Sequence, residues 1–338
     1  MRRDRGPVPD SGQTLRVLTW AGRWGEALRA EVSEPFTALT GIEVEHVVTV
    51  GLPLPTELVR ALQSGERPPV DVVWCNGLPA AQADEAGWCA PLPDSITRGI
   101  AELPSAAWPV RATSPSVVNA YVVHYVLAYQ RSLYPVAAPA GWQCLLDERH
   151  RGRVVVYPGG NGLFGIAQVV GGGRLNDVPR HMSPAWSWLS RLVPSLAMPA
   201  YSVGLETQLL DRKIDLAFRA LPNVRAFQAA GADVGWVVPA EGTADTVDTL
   251  WVPRGLPDAR VARAQRYLRF ALSAPVQERW CARLGVLPMH PAASSSRLLQ
   301  QAGVATLAEE GRRLTIDYQI QAGHETEWAA KFDRLLSG

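Results

Sequence analysis

Arg219 follows directly on the apolar run Asp215-Leu216-Ala217-Phe218. A guanidinium at the end of a buried strand is a natural two-pronged clamp for a carboxylate or a phosphate. The plainer role is an exposed arginine paired with Asp215 or Glu241. A second candidate is the loop Tyr157-Pro158-Gly159-Gly160-Asn161-Gly162-Leu163-Phe164. There a glycine-rich turn opens a helix, and backbone N–H groups at a positive helix end suit an anion. The alternative is a tight strand-to-helix turn without ligand. Trp20, at the end of an apolar strand, offers a ring to a flat or cationic ligand face, or simply covers the core. Arg23 and Trp24 stand just beyond it, where Arg23 is either an anion fork or a surface arginine. Asn76 bonds a ligand or forms a turn. Tyr121 and Tyr125 lie on one apolar run, facing a cleft or the core. Thr246 and Asp248 precede a further strand.

These residue types bind; they do not make a recognisable catalytic set. The sequence has no G-x-S-x-G elbow, no H-E-x-x-H and no G-x-x-x-x-G-K-[ST] loop. Its six histidines are scattered, and Cys75, Cys89, Cys144 and Cys281 form neither a C-x-x-C pair nor a Cys/His cluster at metal spacing. Cys75 and Cys89 flank a turn and helix, so they pair as a disulfide or stay as buried thiols. No cofactor is expected. The net charge of +1 gives no field that would recruit nucleic acid or an anionic membrane. No apolar run reaches the roughly 18 residues that span a bilayer. Twelve tryptophans are many for 338 residues and suit sugar, cation or aromatic ligands, although most such rings are core.

The elements that position the candidates follow a β-α-β-α-β order. Leu15–Trp20 reads as a strand, Gly25–Leu39 as one amphipathic helix, Ile42–Val48 as a strand, Glu57–Ser64 as a helix and Val70–Trp74 as a buried strand. A parallel sheet covered by helices follows from that alternation. Val117–Tyr129 is apolar, β-branched and aromatic throughout, too long for one ordinary strand. It reads as two strands, or as one that crosses between lobes. A second β/α series runs from Val154 to Val238, then a strand Thr249–Val252 and helices Arg260–Leu272 and Pro275–Leu284. The expected fold class is α/β, with mixed, mostly parallel sheets. One lobe takes residues 14–118 and 249–295, the other 119–248 and 296–338, after a flexible leader at 1–13. Ligands of open α/β sheets bind beyond the carboxyl ends of strands, which gathers the loops named above around one cleft.

Four stretches in register resemble the bacterial extracellular solute-binding proteins of the polyamine, thiamine and ferric-iron transporter group. They are the opening Leu15–Glu45; Asp71-Val72-Val73 through Gly87; Gly141-Trp142 to Gly152-Arg153-Val154; and Asp248-Thr249-Leu250-Trp251-Val252-Pro253 with Ala264–Phe270 and Gly285-Val286-Leu287-Pro288. The resemblance covers roughly residues 14–300. It implies a type II periplasmic binding protein, with two lobes joined by crossing hinge strands that close over one ligand. It also implies a monomer that delivers a small molecule to the membrane permease of an ABC importer, without turnover. A periplasmic location goes with that role. The charged start Met1–Pro7 lacks the apolar stretch of a signal peptide, so either the chain is cytoplasmic or a start Met replaces the leader of a mature form.

The pocket departs from the polyamine pattern. Acidic residues that hold ammonium groups there are absent from Tyr157–Phe164, and Asp248, which matches an amine-binding aspartate, lacks the Trp two residues before it. Asp248 therefore binds a ligand amine or orients Arg219. Ferric iron is disfavoured, because Tyr201 stands alone instead of in an adjacent pair. The expected ligand is a small zwitterion or anion, such as an amino acid or aminophosphonate. A polyamine- or thiamine-type cation, and an enzyme of the same lobed fold, are the competing readings.

Overall fold

The computed structural model describes residues 14–49, 54–93, 96, 116–197, 205–305 and 311–337. The expected leader, most of the stretch Pro91–Pro109, and Tyr201 lie outside these residues. Strands run β1 Thr14–Trp20, β2 Glu43–Thr49, β3 Val72–Asn76, β4 Val117–Gln130, β5 Val154–Val155, β6 Leu216–Ala220, β7 Val234–Val237, β8 Asp245–Trp251 and β9 Leu287–Pro288. The described residues fall into two compact units. The first draws on 1–120, 248–284 and 289–294, and the second on 121–247, 285–288 and 295–338.

In the first unit β1 pairs in parallel with β2 and with β3, and the end of β8 joins β3 antiparallel. Apolar β3 is buried along Val72–Cys75, as a strand covered on both faces requires. Edge strand β2 instead shows an open, charged face that discourages further pairing. Trp74 of β3 meets Trp280 of the helix Ala274–Leu284 edge-on at 4.8 Å, and Phe36 meets Tyr267 of the helix Asp258–Ala271 at 5.2 Å, so aromatic contacts join sheet to helix and helix to helix. Asp71, fully buried, accepts from the Arg16 backbone N at 2.7 Å and from Arg260 Nε, tying β1 to the helix Asp258–Ala271.

The stretch read as one helix from Gly25 to Leu39 is broken. Helices Gly22–Leu28 and Glu34–Thr40 are joined by a π-helical turn, Arg29–Ser33. Pro35 supplies the physical reason: it has no N–H to return to residue 31, and its ring crowds that carbonyl, so the turn widens.

The second unit is centred on β4. It pairs antiparallel with β6, β7 and β9, while β5 joins β6 in parallel. The run Val117–Gln130 is a single 14-residue strand, buried almost throughout, with no Gly or Pro to interrupt it. Its first four residues belong to the first unit and the rest to the second; β8 passes the other way between Val247 and Asp248. Core residues Val126, Ala217, Leu221, Val224 and Val234 pack from the sheet onto its helices.

Chain positions next to these passages are held from within their own unit. Gln277, fully buried, donates from Nε2 to the Ala120 carbonyl at 2.7 Å. Its Oε1 accepts from the Met289 and His290 amides at 2.9 and 2.8 Å. Replacing it by Leu keeps the volume and strands three buried backbone groups. Gln277→Leu should lower the urea midpoint by an amount equivalent to about 3 kcal/mol; an unchanged midpoint would show that water takes over all three bonds.

Candidate functional site

In the first unit, Trp20 closes β1 and the helix Gly22–Leu28 starts at once. Gly25 makes this turn possible, since a Cβ there would stand 2.3 Å from the Trp20 carbonyl oxygen. The half-buried rings of Trp20 and Trp24 lie 6.3 Å apart at 58°, with half-buried Arg23 between them in sequence. Asn76 ends β3 directly opposite Asp248, and its Nδ2 donates to Asp248 Oδ1 at 2.5 Å. The Asn76 Oδ1 is buried without a hydrogen-bond partner among the described residues. Two sequence candidates thus meet as a pair of acceptors at a strand end, which suits a ligand ammonium or other donor. Beneath them Cys75 receives a hydrogen bond from Trp251 Nε1 at 3.3 Å. The cysteines are free thiols, so a Cys75–Cys89 disulfide is not formed. Burial pushes the Cys75 thiol up to about 11, which keeps it protonated and inert.

In the second unit, Arg219 lies at the carboxyl end of β6, 3% exposed. Its guanidinium stacks on the Tyr157 ring at 4.5 Å and its Nη1 donates to the Phe218 carbonyl at 3.1 Å. Burial lowers its pKa, partly offset by Tyr157 and Tyr125; an arginine stays charged even so. Asp215 is not its partner: that carboxylate accepts from His150 Nδ1 at 2.9 Å and from Arg153 Nε at 2.7 Å. Tyr157 is the residue that sequence reasoning passed over. Its hydroxyl accepts from the Ala220 amide at 3.1 Å and from Asn223 Nδ2 at 3.4 Å. It therefore also holds the start of the helix Leu221–Ala229, whose N-cap Ala220 has no capping side chain.

The glycine loop is a tight turn packed against aromatic rings. Gly159, Gly160 and Gly162 take φ of +60°, +72° and +76°. The Gly160, Asn161 and Leu163 amides donate to Tyr157, Pro158 and Gly160 carbonyls within the loop, so they do not form an anion cradle. A Cβ on Gly162 would come within 2.7 Å of the Tyr125 ring, and one on Gly160 within 3.1 Å of Phe164. Close packing demands these glycines. Phe164 itself is buried against Trp186 at 5.5 Å and Trp328 at 5.3 Å. Its ring and Gly160 are both buried within the second unit. Tyr121 is likewise fully buried.

Tyr125, Asn161 and Thr246 are brought together. They line one small crevice with Asp245, Tyr318 and Gln321. Tyr125 also touches Tyr157 at 5.5 Å and Phe218 at 4.7 Å, so one ring borders both the crevice and the Arg219 platform. Asp245 is committed to Arg313 Nε and Nη2 at 2.7 and 2.9 Å. Tyr318 and Gln321 lie beyond the sequence stretches on which the resemblance rests, and nothing in their sequence neighbourhood marks them. Nearby on β4, His124 has a buried Nδ1 without a hydrogen-bond partner among the described residues, and burial pushes its pKa down to about 4.

Residues 31–306 match the family model described as bacterial extracellular solute-binding protein. None of the curated proteins matches the sequence significantly. Among solved structures, an ABC transporter substrate-binding protein from Bradyrhizobium japonicum USDA 110 is 17% identical, covering 96% of this chain and 99% of its own, with a TM-score of 0.79. The PBP AgtB from A. tumefaciens R10, in complex with agropinic acid, is 16% identical with the same coverages and a TM-score of 0.72. The spermidine/putrescine ABC transporter substrate-binding protein PotD from Streptococcus pneumoniae, in complex with calcium and HEPES, is 14% identical, again covering 96% and 99%, with a TM-score of 0.75. At these identities the likeness establishes the fold: the α/β architecture of the periplasmic binding proteins.

Two outcomes are expected. Gly162→Ala combines a left-handed backbone with a collision against Tyr125 and should destabilise the protein by about 2–4 kcal/mol in chemical denaturation; a neutral result would mean that the ring is free to move. His124 is held neutral in the folded state, below its ordinary value of 6.5. Stability is therefore complete above pH 6.5 and falls as the unfolded chain alone takes up the proton. The loss by pH 4 should approach about 3 kcal/mol, and His124→Asn should flatten the curve between pH 6.5 and about 4.5, above the ordinary carboxylate range. Parallel curves for both proteins would contradict the burial of this ring.

Proposed function

The chain belongs to the bacterial extracellular solute-binding proteins, and we propose that within this family it captures a small zwitterionic or anionic solute, such as an amino acid or aminophosphonate, for an ABC importer. Members bind a small ligand and hand it to a membrane permease. The proposal places this chain in the periplasm, as a monomer that returns its solute unchanged. One observation carries the choice of solute: the buried Arg219 guanidinium at the carboxyl end of β6, placed over the Tyr157 ring at 4.5 Å. A desolvated, preoriented guanidinium interacts with a carboxylate or phosphonate more strongly than a hydrated one. The complex of a similar fold with agropinic acid supports an acidic solute.

Asn76 and Asp248, considered in their own unit, favour the amine half of such a molecule. They also sustain the second reading, a polyamine-type cation, which the spermidine/putrescine protein of the same fold supports. In the second unit, Arg219 suits an acidic group, and its positive charge disfavours a polyamine.

A thermal-shift panel of glutamate, aminomethylphosphonate, agropinic acid and spermidine decides between them. Binding at a hundredfold excess over Kd adds about 2.7 kcal/mol to apparent stability. At least one acid should stabilise the protein, and Arg219→Met, which keeps most of the side-chain volume, should abolish the shift. A response to spermidine alone, indifferent to Arg219→Met, would sink the anionic reading. Chemical conversion of the bound acid on prolonged incubation would favour the enzyme reading instead.

A further inference from the structure

The family model ends at residue 306, yet the segment after it is built into the second unit beside the crevice. Thr243 donates its amide to the Arg312 carbonyl at 3.1 Å, and Leu314 donates to the Thr243 carbonyl at 2.8 Å. Arg313 grips the Asp245 carboxylate with two bonds, and Thr315 Oγ1 accepts from the Asp245 amide at 2.7 Å and donates to its carboxylate at 2.8 Å. One residue pair further on, the Tyr318 hydroxyl accepts from the Val247 amide at 2.9 Å. Thr246 also hydrogen-bonds this hydroxyl, while burial keeps it from ionising. Residues 312–318 therefore run as a strap along Thr243–Val247, bonded at almost every position. At the end of the strap, Gln321 reaches the crevice that Tyr125, Asn161 and Thr246 line. Its Nε2 donates to the Ile316 carbonyl at 3.1 Å, which orients the amide.

We propose that the segment Arg312–Gln321 is part of the solute-binding surface, with Gln321 touching a hydroxyl or amide group of the solute and Tyr318 acting as the positioning residue for Thr246 and Val247. The solute class follows from the electrostatics. The carboxylate in the crevice, Asp245, is already neutralised by Arg313 and hydrogen-bonded to Thr315. What Asn161, Thr246 and Gln321 add is uncharged and able both to donate and to accept, which suits a neutral polar group and not a second charge. This inference rests on the reading that Tyr125, Asn161 and Thr246 meet the solute.

Two variants of the full chain separate contact from positioning. Tyr318→Phe keeps the ring and deletes the hydroxyl. Hydrogen exchange at the Val247 amide should then accelerate at least severalfold, and affinity for the panel member that stabilises the wild type should fall about fivefold to tenfold. Gln321→Ala should lower the same affinity while leaving Val247 exchange as in the wild type. Unchanged Val247 exchange in Tyr318→Phe would overturn the positioning role. Faster exchange with unaltered affinity, or Gln321→Ala binding as the wild type does, would remove the segment from the binding surface. Should spermidine, which has neither hydroxyl nor amide, be the one compound that binds, the anionic solute and the neutral-group contact of Gln321 both fall, while Val247 exchange in Tyr318→Phe still decides the positioning role.

Discussion

A strand that passes from one compact unit into another carries its peptide groups past the neighbours that would otherwise satisfy them, and a buried N–H or C=O left alone is costly. That constraint organises this protein. On β4 the change of unit follows Ala120, whose carbonyl is taken by Gln277. On β8 it falls between Val247 and Asp248. The Val247 amide is held by Tyr318 within the second unit, and the Asp248 side chain by Asn76 within the first. The return at Met289 again relies on Gln277. Each passage is satisfied by a side chain of the unit it enters or leaves, and several of these side chains are also candidates for meeting a solute.

The aromatic layer of the second unit obeys a steric version of the same economy. Tyr125, Tyr157 and Phe218 meet within 6 Å of one another, and the loop facing them has no side chain at Gly162, which lets Tyr125 and Phe218 in. Arg219 then finds a flat face to lie on. The guanidinium is desolvated by the packing that orients it. Its placement thus follows from how three rings pack, rather than from an accumulation of basic residues.

Much of the architecture was legible because hydrophobic period reports local geometry directly. The β/α alternation from Leu15 to Trp74, the helix following Asp258 and the long run after Val117 could be read from side-chain type and spacing. The break at Arg29–Ser33 was less visible, since Pro35 acts on a carbonyl four residues back and leaves the apolar spacing intact. Within the candidate site, Arg219, Tyr125, Asn161 and Thr246 advertised themselves by lying at strand ends or on a crossing run. Tyr157 did not, because its importance comes from bonds to Ala220 and Asn223, more than sixty residues away. Tyr318 and Gln321 were silent for the same reason.

By itself the sequence determined the class of fold, the long apolar run after Val117, and the absence of any familiar catalytic motif. These depend on local spacing, which a linear text preserves. Only the tertiary structure decided what the glycine loop is for, that Asp215 serves His150 and Arg153 instead of Arg219, and that the C-terminal segment walls the crevice. Those outcomes depend on which distant side chains come within hydrogen-bond reach or collide, and neither distance nor collision is written in the order of residues.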